Sequence, residues 1–586
     1  MPSDKDILKE SKERYKLCSD AWDHIYKAAL DDLRFVYDVD GGQWPDDIKK
    51  DREGRPMLTI NKLLKFVRQL RGESRQNRPR VKVIPVDDKG DVNTAELFNG
   101  LIRQIEYLSS AEVAYDTAYM NAVSGSVGFF RLITKYENEF SFNQDIGIQR
   151  IMNPFVVKYD PACKEFDLSD AEDCFVEEWL SKKEFERQYP GAATVDFDRQ
   201  GEGQQYDGWF EKDKVRIAER FYKEYEKIKI ALVEMVAPEG LKITATLKLN
   251  DESRAIIQKR KGKIIQERET EITTVKWCKL TGSEVLEKND WAGKYIPIIP
   301  VFGDEVIVNG KKHILSLIRG AKSPQQMYNY WSSAATEAVA LVPKSPYVVP
   351  HKQIEGFENE WEEANRKNRM YLRYKHIPGI QKPQREPPAQ VPVGMVAMMQ
   401  NTSFELEDQL GRYEASKGEQ GNERSGKAIL ARVAQSDKGT FTFVDNLSRA
   451  IVYAGRQLID LIPHVYDTER ALQIQGEDGD QQTVTINQPT GRVRMDGKPE
   501  IANDLTVGKY DLIATVGASY SSRRQEMVDN LLQAMQYAPT IAPIIAPLIF
   551  QMSDWPGAQE VAKKLQTAID NMPKEPVTQG GQSNAR

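Results

Sequence analysis

The chain has 586 residues and a mass of 66.8 kDa, too long for one ordinary domain. With 40% hydrophobic and 29% charged residues it carries enough apolar content for real cores, which excludes wholesale disorder. A formal charge of −6 argues against a protein that coats duplex DNA tightly, because such affinity comes mainly from neutralised phosphates.

Met1-Pro2-Ser3-Asp4-Lys5-Asp6 shows no apolar core behind a basic start, so no secretory signal is expected. From about Asp6 to Val36, Tyr15, Cys18, Trp22, Ile25, Ala29, Leu33 and Val36 recur at threes and fours and predict one long helix, ended by Asp40-Gly41-Gly42. Between Arg52 and Lys82 stand ten Lys/Arg against two Asp/Glu. Asn61 is the expected N-cap of a helix with the stripe Ile60, Leu63, Leu64, Val67 and Leu70. Arg68, Arg71, Arg75 and Arg78 step by three and four and share another face. Gly72 and Pro79 help end this helix, and Val81, Val83 and Pro85 begin an extended run. Taken alone, the arginines read better as a solvated basic face on a surface helix than as a binding surface.

A second helical run is expected from Asn93 to about Val123, with Phe98, Tyr107, Tyr115 and Tyr119 in the core. The stretches 128–136 and 146–151 predict paired strands around a polar turn. Asp160, Asp167, Asp170 and Asp173 suggest either a cation site or turns; their spacing is not that of an EF-hand loop, and turns are the better reading. Lys214 to Val308 alternates β-rich segments (228–230, 276–280) with a charged stretch, Asp251 to Glu271, expected to be helical. Up to about Ile318 the chain reads as one mixed α/β module.

Ser323 as N-cap, Pro324 at N1 and Pro343 as stop define a helix with the apolar stripe Met327, Trp331, Ala334, Ala335, Ala338, Leu341 and Val342. Pro343 to Pro392 then holds 8 of the 29 prolines, which suits a turn-rich module with extended pieces at 347–349 and 370–372 and a short helix around Glu358 to Lys367. A second rod is expected from about Val393 to Leu410, followed by a polar, glycine-rich loop, Gly411 to Ser425. A long helix from Gly426 to Leu461 is expected to point Ile429, Val433, Phe441, Val444, Leu447, Ile451 and Leu458 inward and to end at Pro463. Ala471 to Ile486 reads as a hairpin and Gly508 to Ala514 as a strand. Ser521 is the expected cap of a helix carrying Met527, Leu531, Leu532 and Met535; a last helix follows Asp554-Trp555-Pro556-Gly557, and Pro573 to Arg586 is a polar tail.

Cys18, Cys163, Cys174 and Cys278 form no C-x-x-C pair, and the five histidines match no zinc or H-E-x-x-H spacing. The longest apolar run, Ala538 to Met552, is broken by three prolines and too short to span a membrane, so a soluble protein is expected. Gly421-Asn422-Glu423-Arg424-Ser425-Gly426-Lys427-Ala428 nearly matches a phosphate-binding loop, but Ala428 replaces the Mg²⁺-ligating hydroxyl and no apolar strand leads in. Neither catalysis nor a cofactor is expected.

Gln43-Trp44-Pro45, then Arg55-Pro56-Met57-Leu58-Thr59-Ile60-Asn61-Lys62, then Arg75-Gln76-Asn77-Arg78-Pro79 resembles the opening of a bacteriophage portal protein of the short-tailed, double-stranded DNA phages. Tyr159-Asp160-Pro161-Ala162 and 295–301 have the same look, and the resemblance runs from about Trp44 to Pro556. It implies an α+β portal fold: wing 1–318, stem helices 319–342 and 393–411, clip 343–392, tunnel loop 412–425, long helix and β part of the wing 426–520, crown 521–575, and a tail 576–586; the chain is too short for a large barrel after the crown. It implies a dodecameric ring that passes double-stranded DNA without sequence preference, and as partners the terminase large subunit, head-completion or tail adaptors, capsid and scaffolding proteins. On this reading Arg412, Glu414, Lys417, Glu419, Glu423 and Arg424 border the channel. Glu358, Trp361, Glu362, Arg366 and Tyr371 offer a docking surface on the clip, and Arg68, Arg71, Arg75 and Arg78 serve ring assembly. The alternatives are an NTPase motor subunit using Gly421–Lys427, and a basic-helix DNA-binding protein.

Overall fold

The computed structural model describes residues 3–76, 79–86, 91–194, 214–236, 242–259, 262–341, 345–367, 369–387, 393–410, 441–475, 481–493 and 499–516, together with 528, 531–533, 535, 542–551, 561, 562, 564, 565 and 567 near the C-terminus. Helix and strand alternate along the whole chain, an α+β arrangement. The N-terminal helix spans Asp4–Val36, and Ser3 closes it with a reciprocal capping box to Asp6. Its buried stripe (Trp22, Ile25, Tyr26, Ala29) packs on Val127, Phe129, Tyr159 and Phe302.

The expected single run from Asn93 to Val123 is two helices, Val92–Leu108 and Ala111–Gly125. Ser110 breaks them in the left-handed region at φ 49°, which frees the Ser109 hydroxyl to accept the Ile148 amide on the outer strand of a small sheet. Phe98, Tyr115 and Tyr119 are buried as expected, whereas Tyr107, next to the break, is exposed. That sheet orders Ile298–Phe302, Val127–Tyr136 and Gln144–Arg150, all antiparallel. Gly128 is obligatory there, since a Cβ would meet the Ala118 carbonyl oxygen at 2.0 Å.

A larger antiparallel sheet orders Val157–Tyr159, Asp173–Ser181, Lys214–Val236, Lys263–Leu280 and Val285–Asp290. Only Asp251–Lys259 of the charged stretch is helical; Lys263–Glu271 is strand, a correction of the expected helix. These residues pair along the outer half of Lys214–Val236, and their charges lie on a solvent face as cross-strand pairs such as Lys227–Glu271 and Lys229–Glu269.

The late helix, Phe441–Val465, runs through the main core with Leu447, Ile451, Leu458 and Leu461 buried. Phe441 is instead 46% exposed, and Pro463 lies within the helix, whose last turn continues to a Tyr466 amide bonded to Ile462. Strand Pro79–Pro85 pairs with Tyr510–Val516, so the two ends of the chain close one core over this helix. Gly455 makes the crossing possible: a Cβ there would stand 2.6 Å from Leu512. The hairpin Arg470–Gln475/Gln481–Ile486 forms as expected.

The first rod is Leu317–Leu341, seven residues earlier than the Ser323 cap predicts, with Pro324 inside it. Ser316 is the effective cap: its hydroxyl accepts the Arg319 amide at 3.2 Å and donates to Asp32 at 2.7 Å. Asp32, fully buried on the N-terminal helix, also pairs with Arg319 and Lys322, which tie down the turns that precede Pro324. The second rod, Val393–Gln409, packs antiparallel to the first, its Leu406 and Leu410 meeting Ile318 and Ala321 at the base. Among the described residues, no helix is long and apolar enough to cross a membrane. The region of the Ser521 cap and the last helix lies almost wholly outside them.

Candidate functional surfaces: the strapped rods, their tip and the arginine helix

The first rod buries a polar face. Gln325, Asn329 and Ser333 recur every fourth residue, so they lie on one stripe, and all three are fully buried. They receive an extended strap whose alternate amides point the same way: Leu58 donates to Ser333 Oγ at 2.9 Å, Ile60 to Asn329 Oδ1 at 3.0 Å, and Lys62 to Gln325 Oε1 at 3.1 Å. Gln325 returns a bond to the Ile60 carbonyl, and Asn329 donates to Gln43 Oε1 at 2.8 Å. Glu337, one rung further, takes Arg55 at 2.8 Å and the buried Arg52 at 3.1 Å. The Arg55 hydrogen bond foremost holds the Glu337 carboxyl below its ordinary range. The expected apolar stripe is therefore not the buried one: Met327 is 45% exposed and Trp331 only half-buried.

The strap joins four elements. Asn61 caps the arginine helix, Leu63–Gln76, by accepting the Leu64 amide, and its other side-chain end donates to Val36 at the close of the N-terminal helix. Lys62 lies over the Tyr328 ring and bonds Ser403 on the second rod. Trp44 donates to Thr59. The words Gln43-Trp44-Pro45 and Arg55 to Lys62 are thus the binding code of this strap. The four-step ladder Gln325, Asn329, Ser333, Glu337 is visible in the sequence once polar periodicity is sought instead of apolar periodicity.

Beyond the rods, residues 345–387 form a small module closed by the pair Tyr347–Val348 with Gln384–Arg385. Trp361 meets Tyr347 edge-on and donates to the Arg373 carbonyl at 2.8 Å, so it is a core residue of the module. The helix there is Glu358–Glu362, shorter than expected. Glu358 is engaged by the Gly356 amide, which lowers its pKa, whereas Glu362, Arg366 and Tyr371 are exposed and Met370 is wholly so. On the arginine helix Leu63, Phe66, Val67 and Leu70 are buried, while Ile60 is 40% exposed. Arg75 pairs with Asp116 of its own chain at 2.7 Å, and Arg68 and Arg71 face solvent. Arg78 lies outside the described residues, as do Ile429, Val433, the whole loop 411–425 with Arg412, Glu414, Lys417, Glu419, Glu423 and Arg424, and the Gly421–Lys427 near-match.

The aspartates from Asp160 to Asp173 divide. Asp160, Asp167 and Asp170 each accept nearby backbone amides, as turn residues do. Asp173, which shares Arg14 with the equally buried Asp160, sits on a strand beneath the N-terminal helix, bonded to Arg14 at 2.6 Å and to the buried Arg220 at 2.7 Å. Arg220 also reaches Glu10 and Ser11, and neighbouring Arg216 reaches Glu177 and Tyr15. Among the described residues, no group of His, Cys, Asp and Glu is arranged to hold a metal.

Comparison with known sequences matches residues 12–586 to the model of the phage P22-like portal protein family. A portal protein of Acyrthosiphon pisum secondary endosymbiont phage 1 is 25% identical over 614 residues, covering 96% of this chain and 82% of that protein.

Proposed function

The chain belongs to the phage P22-like portal protein family, and on that premise we propose that it forms the portal vertex of a capsid: a dodecameric ring through which double-stranded DNA enters during packaging and leaves during ejection. The role is structural and places the protein in the virion. The terminase large subunit docks on the ring first, and head-completion or tail adaptors take its place; capsid and scaffolding proteins contact its outside. Residues 1–318 with 426–520 make the wing, 319–342 and 393–411 the stem, 343–392 the clip and 521–575 the crown.

The observation that carries this reading is the unsatisfied apolar surface of the rod pair. Met327 and Val339 on the first rod and Val396, Met398 and Phe404 on the second are all about half exposed in the single chain. A ring of identical subunits covers such faces by repeating one heterologous contact until it closes. Light-scattering mass and negative-stain images of the purified protein test it. Rings with a central hole, formed without nucleotide or DNA, are the expected result; a chain that stays at subunit mass at every concentration sinks it.

A further inference from the structure

The turn between strands Val127–Tyr136 and Gln144–Arg150 holds Phe140 95% exposed and Phe142 98% exposed. Its backbone is firmly built. The Phe140 amide bonds Asn138 Oδ1 at 2.9 Å, the Asn143 amide bonds Ser141 Oγ at 3.1 Å, and the Glu137 amide bonds the Asn143 carbonyl at 3.0 Å. Tyr107, Leu108 and Tyr136 are each about three-fifths exposed. Leu108, Glu137 and Asn143 also line one cavity of about 270 Å³, together with Arg470, so Leu108 lies beside the base of the turn. An aromatic patch held this rigidly outward has the character of an interface anchor. Between Tyr136 and Asn143 the turn carries two carboxylates, Glu137 and Glu139, and no cation.

A surface of matching chemistry lies elsewhere on the same chain. Lys65, Arg68 and Arg71 face solvent on the arginine helix and make no ion pair among the described residues. Just before them Leu58 and Ile60 are 38% and 40% exposed. The start of that helix, Leu63 to Val67, is packed into the rod-base cluster, whereas the hairpin belongs to the main core, which the helix joins at Leu70. One patch is apolar and acidic, the other apolar and basic, and a closed ring needs two such different, complementary patches on each subunit.

We propose that the Phe140/Phe142 turn of one subunit docks on the Leu58–Arg71 strip of the next, with Glu137 and Glu139 facing Arg68 and Arg71. This rests on the ring reading above. The test compares light-scattering masses of the wild type, the pair Arg68→Glu/Arg71→Glu, the pair Glu137→Arg/Glu139→Arg, and all four substitutions together. Each pair should fall to subunit mass with its far-UV circular dichroism retained, and the fourfold exchange should restore rings. Full-sized rings in either pair, or no restoration by the exchange, overturn the docking while leaving the ring reading intact. A wild type that never exceeds subunit mass removes both. A second arm guards against misfolding of the exchanged protein: a chain carrying Arg71→Cys with Phe142→Cys should give a ladder of covalent oligomers on oxidation that neither single substitution gives. Absence of that ladder counts against the contact, and so does a Phe140→Ser/Phe142→Ser protein with undiminished rings, which assigns the turn to a different partner.

Discussion

Asn329→Ala tests the strap at its centre. The Asn329 side chain is fully buried, accepts the Ile60 amide and donates to Gln43 Oε1. Removing it strands the Ile60 amide and Gln43 Oε1 and takes one bond from Gln325, whose side-chain nitrogen keeps its bond to the Ile60 carbonyl. Stranding the buried Gln43 acceptor costs about 1–3 kcal/mol, and the part-buried Ile60 amide adds less than that, which places the loss at about 1–4 kcal/mol. Ser332→Ala is the matched control: it lies three residues along the same rod, is also buried, and its hydroxyl has no hydrogen-bond partner among the described residues. That change should stay within about 0.5 kcal/mol. Urea denaturation followed by tryptophan fluorescence reads both, and trypsin cleavage after Arg52 and Lys62 reports locally on the strap; the bond after Arg55 precedes Pro56 and resists the enzyme. If Asn329→Ala is no less stable than Ser332→Ala, the ladder contributes nothing to holding the rod.

Four further outcomes follow from the same geometry. Arg220→Ala leaves Asp173 buried with only Arg14, and should cost about 3–5 kcal/mol in urea denaturation; a loss below about 1 kcal/mol would show the network to be dispensable. The folded pKa of Glu337 is depressed, so its contribution is complete above the ordinary glutamate value and fades as pH falls through the lower folded one. Hydrogen exchange of the Leu58, Ile60 and Lys62 amides should therefore lose protection only below about pH 4.3, and Glu337→Gln should abolish that acid limb; an acid limb that survives the substitution assigns it to another group. Glu362→Lys and Arg366→Glu, on exposed side chains of the tip module, should leave rings intact and weaken terminase capture in a pull-down, and unchanged capture places docking elsewhere. Deleting residues Glu414 to Gly421 should still give rings and normal empty capsids that package or retain DNA poorly; infectious particles at wild-type yield would end the tunnel-loop assignment.

The elements legible in the sequence were those whose cause is local. Asn61 caps its helix because the residue itself supplies the acceptor, and the hairpin at Arg470–Ile486 follows from a turn between two alternating runs. Illegible features depend on a distant partner. Lys263–Glu271 has a helix-forming composition, and only its long register against Lys214–Val236 makes it strand. On the rod, hydropathy gives Met327 and Trp331 to the core, whereas the buried neighbour is a bare backbone that wants acceptors. Ser316 escaped notice because half of its role is the bond to Asp32, 284 residues away. Of the candidate site, Arg75 is spent within its own subunit and Trp361 within its own module, a distinction that exposure reveals and residue type does not.

The strap also sets a vernier. Two residues of extended chain advance about 6.6 Å and four residues of helix about 6.0 Å, so the repeats coincide only for a few rungs. Side chains of increasing length, Ser333, Asn329 and Gln325, take up the drift at nearly constant bond length. Sliding by one rung is barred both ways. In one direction Pro56, which has no amide hydrogen, would face Ser333, and Lys62 would face Ala321, which has no acceptor. In the other, Leu58 would face Glu337, whose carboxylate Arg52 and Arg55 already occupy. Rod and strap therefore translate together, and a tilt of the stem is delivered without slippage to Val36 and to the first turn of the arginine helix, the two points where Asn61 is tied.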